Sequence, residues 1–387
     1  MFKKVLLLLL AFAGYFTAFA QVDSSHIRIS LLTCSPGDEE IYEVFGHTGV
    51  RIVDSVHHTD NVYNYGTFSY GPDFEMQFMR GKLLYSLSVE PFNVFMDEYI
   101  QAKRSVEEQV FLMDWKKKEQ INYFLDWNAE PENRNYKYDF FFDNCATRIR
   151  DIFQRPEVFG KKFHYGQALP IGKSLSFRDI INIYFYGNHW TRLGVNILLG
   201  SKIDKQMTNS DIMFLPDYLR DGLGDALVDG KKIATSPALI LPGNKASTAG
   251  INEAFLLTSL IALLTIAGLS LYRFRVLGNI MSSLLLFVTG ALGCLILVMW
   301  FATDHQGCSN NFNILWCLPL NIFIAFYKPK GAGRYALIAM FLILISFLLH
   351  LFKIQALIPE FIPLLLALLF VYGMIYRRSQ IKHPVKK

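Results

Sequence analysis

The sequence predicts an α+β domain outside the cytoplasm, followed by an all-α membrane domain of about five helices. Three observations predict this fold class. Residues 1–20 have the pattern of a signal peptide, 52% of the chain is hydrophobic, and the charge is divided unequally along it. Residues 21–252 carry 25 Lys and Arg against 30 Asp and Glu, whereas residues 253–387 carry 11 against 3. This composition argues against a purely cytosolic enzyme. It also argues against nucleic-acid binding, because the positive charge is not on the soluble part.

The first 20 residues predict export from the cytoplasm. They contain a basic start at Lys3-Lys4, an apolar stretch at Val5–Ala13 and a small–x–small cleavage site at Ala18–Ala20, as a signal peptide does. A retained membrane anchor is the alternative, and in either case the chain from residue 21 leaves the cytoplasm. Three of the five cysteines are then extracytoplasmic: Cys34, Cys145 and Cys308. An odd number leaves at least one thiol free or paired with another chain, and the spacing leaves the pairing open.

The segment from residue 21 to residue 250 predicts the α+β domain. Residues 27–33 alternate apolar and polar side chains, which predicts a strand. Residues 47–53 and 61–68 predict two more strands, and the polar stretch between them joins them as a hairpin. Helical spacing of apolar residues predicts a helix over residues 106–126.

A second helix is predicted to begin at Cys145. Asp143 or Asn144 is its N-cap, and the apolar residues that follow fall on one helix face. Before it, Tyr138–Phe142 is an aromatic strand or an approach segment. Residues 196–240 are irregular in pattern, except for a short helix predicted within the string DYLRDGLGDAL.

Five apolar runs predict the membrane domain, which spans residues 253–376. The runs are residues 254–272, 278–302, 312–327, 335–352 and 355–376. A helix needs about 20 apolar residues to cross the hydrocarbon core, and four runs reach or approach that length. The third run is short and contains Pro319 and Asn321, so it is the doubtful span.

The basic residues predict the orientation in the membrane. Ten Lys and Arg follow the first, third and fifth runs, and only Lys353 lies in the other two loops. The side with ten positive charges is the cytoplasm by the positive-inside rule. The soluble domain then lies on the opposite side, as the signal peptide requires independently. Residues 377–387 form a basic cytoplasmic tail.

Two positions in the soluble part are candidates for nucleophilic catalysis. His47 lies between glycines at the start of a predicted strand, and Cys145 lies at the start of a predicted helix. The positive end of a helix dipole lowers the pKa of a cysteine thiol placed there. A neighbouring imidazole completes a nucleophile–base pair in either chain order. A packed cysteine and a structural histidine are the plainer alternatives.

A third polar group usually orients such an imidazole. Asn64, on the partner strand of the predicted hairpin, is the first candidate. The alternatives are His58, Asp60 and Tyr65.

The sequence predicts no metal site and no cofactor. It contains no CxxC and no HExxH, and adjacent His57 and His58 would point to opposite faces of a strand. A P-loop and a GxSxG motif are also missing from it.

The strand-starting HxG and the NC that opens a helix resemble the circularly permuted NlpC/P60 branch of the papain-like superfamily. Lecithin:retinol acyltransferase belongs to that branch. His47 and Asn144-Cys145 match its two motifs. The resemblance implies an α+β papain-like domain whose cysteine takes an acyl chain from a phospholipid as a thioester. Its third polar residue aligns with Asn64, where members of the family often have histidine.

A closer resemblance covers nearly the whole chain and is to the Lnb family of bacterial lipoprotein N-acyltransferases. The strings that carry it are LLTCSPGDEEIYEVFGHTGVRI, YNYGTF, FMRGKLLYSL, YDFFFDNCATRIRD, FLPDYL and DHQGCSNNFNILWCLPLN. It implies a multi-pass protein of the inner membrane with its N-terminal domain in the periplasm. Phospholipid would be the acyl donor, and the α-amino group of diacylglyceryl-cysteine lipoproteins the acceptor, with no cofactor.

The resemblance implies that Cys145 is the nucleophile and His47 the general base, with Asn64 beside them. A further set is predicted to contact substrate: Asn144, Arg148, Tyr65, Asp304, His305, Asn311 and Asn313. The last four could also belong to a plain hydrated loop. Three other cations, Arg80, Lys82 and Arg192, are candidates for meeting phosphates. A cysteine hydrolase of the same fold and a non-catalytic membrane scaffold are the alternative functions.

Overall fold

The structure is a computed structural model that describes residues 25–37, 41–244, 250–327 and 329–382. The predicted signal peptide and its cleavage site lie outside the described residues. So does the end of the predicted cytoplasmic tail, residues 383–387.

Antiparallel sheets form the centre of the first domain. The strands are β1 (Ile27–Cys34), β2 (His47–Asp54), β3 (Thr59–Thr67), β4 (Leu84–Pro91), β5 (Val106–Val110), β6 (Asn135–Lys137), β7 (Phe163–His164), β8 (Leu227–Val228), β9 (Lys231–Lys232) and β10 (Ala238–Leu241). Seven of them pair in the order β10-β5-β1-β2-β3-β4-β6, and β7, β8 and β9 form a small second sheet.

Helices of the first domain cover the large sheet and extend beyond it. They are α1 (Phe74–Met79), α2 (Phe92–Gln101), α3 (Trp115–Ala129), α4 (Cys145–Phe153), α5 (Phe177–Tyr184), α6 (His189–Leu198) and α7 (Pro216–Gly224). The buried face of α4, which includes Ile149 and Ile152, shares one hydrophobic core with Ile29 and Leu31 of β1. The first residue of α4 is thereby held against the sheet.

Most of the predicted elements are confirmed. The three predicted strands are β1, β2 and β3, and β2 pairs with β3 in the predicted hairpin with Val50 opposite Tyr63. The helix beginning at Cys145 is α4, and the short helix within residues 196–240 is α7. The aromatic residues 138–142 form an approach segment rather than a strand.

The helix predicted over residues 106–126 is wrong in its first part, where β5 lies instead. The chain there pairs with β1 on one side and β10 on the other. Glu108 accepts a hydrogen bond from Ser30 at 2.6 Å and forms an ion pair with Arg51 at 3.2 Å. These partners are distant in sequence, so helical spacing within the segment carries no sign of them.

The membrane domain contains four helices long and apolar enough to cross a bilayer within the described residues. They are α8 (Glu253–Ser270), α9 (Arg275–Phe301), α11 (Ala332–Leu351) and α12 (Phe361–Lys382). A short helix, α10 (Asn321–Phe326), lies between α9 and α11.

The third apolar run, residues 312–327, is a broken helical segment that packs alongside α9. A Cβ atom on Gly293 would lie 1.9 Å from the carbonyl oxygen of Cys317, so the two backbones touch. Farther along, Ser283 donates to the carbonyl of Ala325 at 2.8 Å. Non-helical backbone at membrane depth is tolerated only inside protein, and Cys317 is fully buried. We infer that this run completes the crossing that the charge pattern requires.

Candidate active site

Cys145 is the first residue of α4 and is buried. The helix is capped by Asn144, whose side chain accepts from the Thr147 N–H at 2.9 Å while Thr147 Oγ1 accepts from the Asn144 N–H at 2.7 Å. The Asn144 amide also donates to the carbonyls of Phe140 and Phe214, both at 2.8 Å. Asn144 thus positions the cysteine, and its contact with substrate stays a prediction.

His47 is held from two sides at the start of β2. A Cβ atom on the preceding Gly46, which has φ +75°, would lie 2.6 Å from the carbonyl oxygen of Cys34, so only glycine fits there. The imidazole Nε2 lies 2.6 Å from Asn64 Oδ1. Asn64 Nδ2 donates in turn to Glu90 Oε1 at 3.1 Å, which fixes the amide orientation. Because an amide oxygen only accepts, Nε2 carries the proton and Nδ1 is left able to accept one.

The other three candidates for orienting the imidazole have different partners or surroundings. His58 is exposed in the turn between β2 and β3. Asp60 accepts two hydrogen bonds from the Arg51 guanidinium, at 2.7 and 2.6 Å. Tyr65 is buried and donates to Asn128 Oδ1 at 2.6 Å.

Cys145 and His47 both lie beside Gly66, on β3. A Cβ atom placed there would lie 3.7 Å from Cys145 Cβ, 3.8 Å from His47 Cε1 and 3.9 Å from Tyr138 Cε2. The backbone N–H of Thr48, the residue after His47, lies close enough to the Cys145 thiol to lower its pKa. The two predicted catalytic residues are therefore neighbours in the structure. Gly66, Thr48 and Tyr138, which the sequence did not indicate, lie beside them.

The surroundings keep His47 neutral. Burial lowers the pKa of His47 to about 4, the hydrogen bond with Asn64 opposes this shift, and the positive charge of Arg104 adds to it. A neutral imidazole at the pH of the periplasm can accept a proton, as a general base must.

The pKa of the thiol differs from the sequence-based expectation. Burial raises the pKa of Cys145 to about 11, although the backbone N–H groups of Thr48, Ala146 and Cys145 itself lower it. The expectation of a lowered pKa considered the helix terminus alone, whereas desolvation of the thiolate is the larger effect here. The resting pair is therefore a neutral thiol and a neutral imidazole.

The low pKa of His47 has a consequence for the pH dependence of activity. The base is unprotonated from about pH 5 upwards, so we expect the rate to change little between about pH 5.5 and 8 and to fall as the pH drops towards 4. The check is the rate of the reaction that depends on Cys145, measured with the full-length protein in detergent across that range. An acid limb centred near pH 6.5, the ordinary pKa of histidine, would contradict this electrostatic account.

Replacing Asn64 with alanine is expected to lower the rate by about tenfold to a hundredfold, because a misoriented base loses part of its effect. The measurement is the maximal rate together with its dependence on substrate concentration, since an orienting residue changes the maximal rate more. Asn64→His keeps an acceptor beside Nε2 and should retain more activity than Asn64→Ala. Asn61→Ala, on the same strand, is the control. Equal rates for wild type and Asn64→Ala would remove Asn64 from the site.

Two predicted substrate-binding residues, Arg148 and Tyr65, contact residues of the protein around the site. The Arg148 guanidinium donates to both carboxylate oxygens of Asp143, at 2.7 and 2.8 Å, and lies 3.7 Å from the centre of the Tyr136 ring. These contacts hold the segment before Cys145. Direct substrate contact by Arg148 or Tyr65 stays a prediction.

Asp304 and His305 lie in the loop that follows α9, and both contact the first domain. The Asp304 N–H donates to the carbonyl of Arg80 at 2.8 Å, and its carboxylate lies 3.3 Å from Lys137 Nζ. His305 Nε2 donates to the carbonyl of Phe78 at 3.0 Å. The loop therefore joins the outer end of a membrane helix to the turn after α1.

Asn311 and Asn313 are buried, and their amides bind the C-terminal carbonyls of α6. Asn311 donates to Ile197 and Leu198 at 2.8 and 2.9 Å, and Asn313 donates to Asn196 and Ile197 at 2.9 and 3.1 Å. These carbonyls have no partner within their helix. Both asparagines thus join the two domains. At these two positions the loop is therefore not the plain hydrated loop considered above. Contact of Asn311 or Asn313 with substrate stays a prediction.

Arg192 forms a second contact between the domains. Its guanidinium forms an ion pair with Glu360, which is fully buried just before α12. Asn252 donates to the same Glu360 oxygen at 3.0 Å. Arg192 is thereby engaged with protein, unlike the exposed Arg80.

One group of potential metal ligands lies among the described residues. It consists of His26, Asp54 and His57, whose ligand atoms lie within 4.8 Å of one another. Asp54 pairs with Ile27, at the end of the β1–β2 ladder opposite to His47. His57 Nδ1 already lies 2.6 Å from Asp54 Oδ2, which explains the cluster as a hydrogen-bonded turn away from the candidate active site.

All five cysteines are free thiols in the structure. The three in the first domain and the outer loop, including the candidate nucleophile, are buried. Burial also raises the pKa of Cys34 to about 12 and that of Cys308 to about 11. The state of the thiols is thus consistent with an odd number of extracytoplasmic cysteines.

Comparison with protein families supports the layout of the chain. Residues 15–175 match the model described as the Lnb N-terminal periplasmic domain, and residues 248–383 match that of the Lnb transmembrane domain. Together the matches cover more than half of the chain. Searches of the curated proteins and of the solved structures gave no match. The Lnb resemblance is confirmed, whereas the link to the NlpC/P60 branch and the predicted domain boundaries stay predictions.

Proposed function

The chain belongs to the Lnb family, and on that premise we propose that it transfers an acyl chain from a phospholipid to the α-amino group of diacylated lipoproteins. It is an inner-membrane protein with its N-terminal domain in the periplasm. Both proposed substrates are anchored in lipid. An active site tethered at the bilayer meets them at a high effective concentration.

The first step is acylation of Cys145. His47 Nδ1 takes the thiol proton as the sulfur attacks the ester carbonyl of the phospholipid. Because the resting pair is neutral, this proton transfer accompanies the attack. The ester C–O bond then breaks, the leaving alcohol of the lysophospholipid takes the proton from His47, and the acyl chain remains on Cys145 as a thioester.

The backbone around the sulfur offers donors for the oxyanion that forms during attack. The N–H groups of Thr48, Cys145 and Ala146 all lower the pKa of the Cys145 thiol. Preorganised backbone donors of this kind stabilise the tetrahedral intermediate of acyl transfer. Two of them belong to the first turn of α4, where N–H groups have no partner within the helix.

The second step is aminolysis of the thioester. The unprotonated α-amine of the lipoprotein attacks the thioester carbonyl and loses a proton to His47. The C–S bond breaks, and the proton passes from His47 back to the sulfur. The products are an N-acylated lipoprotein and the free enzyme, and no external oxidant, reductant or metal takes part.

The observation that carries this proposal is the position of the pair. Cys145, His47 and Tyr138 all lie beside Gly66, and Tyr138 shares a cavity with residues 304–308, the loop that follows membrane helix α9. This position supports the proposal, because the loop follows a helix that can cross a bilayer, and lipid substrates would lie at that level.

The test is mass spectrometry of a lipoprotein's N-terminal lipopeptide. A bacterial host whose own N-acyltransferase can be switched off would express this protein or carry an empty vector. We expect one additional acyl chain, linked as an amide, only with the protein. The opposite result is a lipopeptide that stays diacylated, together with release of free fatty acid or cleaved cell-wall peptide. It would contradict the proposed transferase activity and favour a cysteine hydrolase.

A further inference from the structure

A cavity of about 220 Å³ lies between the first domain and the loop that follows α9. Its walls are mostly apolar and come from three parts of the chain. Phe45 and Phe140 are close in sequence to His47 and Cys145, Phe185 and Val195 come from the α5–α6 region, and residues 304–308 close the membrane side. An apolar cavity of about 150 Å³ already takes up a benzene molecule, so this one has room for part of an aliphatic chain.

The cavity and the catalytic pair share one neighbouring residue, Tyr138. This ring lines the cavity and also lies beside Gly66, as Cys145 and His47 do. A chain bonded to the Cys145 sulfur would have to pass Tyr138 to enter the apolar space.

The surface beside the cavity is rich in exposed apolar and aromatic side chains. In and next to α1, Tyr70, Met76, Phe78 and Met79 expose between 46% and 76% of their surface. The turn after α1 is joined by hydrogen bonds to the loop 304–308, at the end of membrane helix α9. Exposed aromatic and apolar side chains at this level are typical of segments that lie in the membrane interface. A chain that left the outer leaflet along these side chains would reach Gly81, at the cavity wall.

We propose that this cavity binds the fatty acyl chain that is being transferred, while Cys145 carries it as a thioester. The assignment rests on the proposed function. It adds the subsite that selects the length of the acyl chain. Each methylene group buried in an apolar site favours binding by about fourfold, so filling the cavity with protein should penalise long chains more than short ones.

The first test is chain selection by a cavity-filling variant, Val195→Phe, in the full-length protein. The donors are vesicles containing equal amounts of phosphatidylethanolamine with ten-carbon and with sixteen-carbon chains. We expect the ratio of long to short chains on the product amide to fall by about tenfold or more relative to wild type. Val94→Phe, at an exposed position on α2, is the matched control and should leave the ratio unchanged. An unchanged ratio in Val195→Phe, with transfer retained, would overturn the assignment.

The second test does not depend on transfer. The Cys145→Ala protein is placed in vesicles with a phosphatidylethanolamine that carries a photoreactive diazirine at its chain end. Ile181, Val195 and Leu199 line the cavity. We expect cross-links to these three residues, and we expect the cross-links to Ile181 and Leu199 to be lost when Val195→Phe is added. Cross-links confined to the membrane helices would overturn the subsite. Failure of the proposed function shows separately, as missing amide product from wild-type protein.

Discussion

Replacing Cys145 with alanine is expected to abolish N-acylation, with a fall in rate of about 10³-fold or more. The thioester cannot form without the sulfur, and His47 and the backbone donors then have no nucleophile to assist. Quantification of the amide-linked acyl chain on a lipopeptide, in the host whose own enzyme is switched off, checks this result.

Cys294→Ala is the matched control, because Cys294 is exposed on membrane helix α9 and lies outside the site. Both variants should reach the membrane in amounts similar to the wild type. Full activity of Cys145→Ala would show that this domain acts as a scaffold or uses another nucleophile, and it would remove the thioester mechanism.

Replacing Arg178 with leucine is expected to lower the free energy of unfolding by about 3–5 kcal/mol. Only 1% of Arg178 is exposed. Its guanidinium binds both oxygens of Asp204 and donates to the carbonyls of Leu199 and Gly200 at 3.0 and 2.8 Å. The substitution leaves a buried carboxylate and two buried carbonyls without these donors.

Thermal and chemical unfolding of the purified protein in detergent checks this expectation. Arg155→Leu is the control, because the pair of Arg155 with Glu157 is about two-fifths exposed and pairs of that kind contribute about 1 kcal/mol or less. A loss in Arg178→Leu no larger than in the control would show that the Arg178 cluster does not stabilise the fold.

The Arg178 cluster also joins the two domains. Asp204 accepts a hydrogen bond from the backbone N–H of Ala356, in the loop between α11 and α12, at 2.9 Å. Loss of Arg178 should therefore loosen this contact and lower transfer activity even where the protein still folds. The cluster escapes sequence inspection, because a single Arg178 or Asp204 is typical of any solvated surface.

The local parts of the site were predictable from the sequence. An Asn before a Cys that opens an amphipathic pattern has the form of an N-cap, and the cap contacts of Asn144 are all within four residues apart from the bond to Phe214. The pairing of β2 with β3 follows from two strand patterns and a short turn, and it brings Asn64 to His47. Such inferences succeed because the interacting groups are close along the chain.

The parts that escaped prediction depend on contacts between distant segments. Glu90 completes the chain from His47 through Asn64, but a lone Glu in a strand pattern carries no distinguishing signal. A polar loop pattern does not show that Asn311 and Asn313 cap α6. The raised pKa of Cys145 also escaped, because burial depends on how the whole domain packs around the thiol.

The order of residues alone established the layout of this protein: a polar domain outside the cytoplasm, apolar spans oriented by their basic loops, and a cysteine and a histidine as candidate catalytic residues. Composition and local pattern carry that information, because hydrophobic length, charge bias and helix capping are properties of neighbouring residues. Long-range packing established that His47 and Cys145 both lie beside Gly66, that the third apolar run is a broken segment, and that Tyr138 and the membrane loop line one apolar cavity. Those features depend on which distant surfaces bury one another, and a linear pattern does not specify that choice.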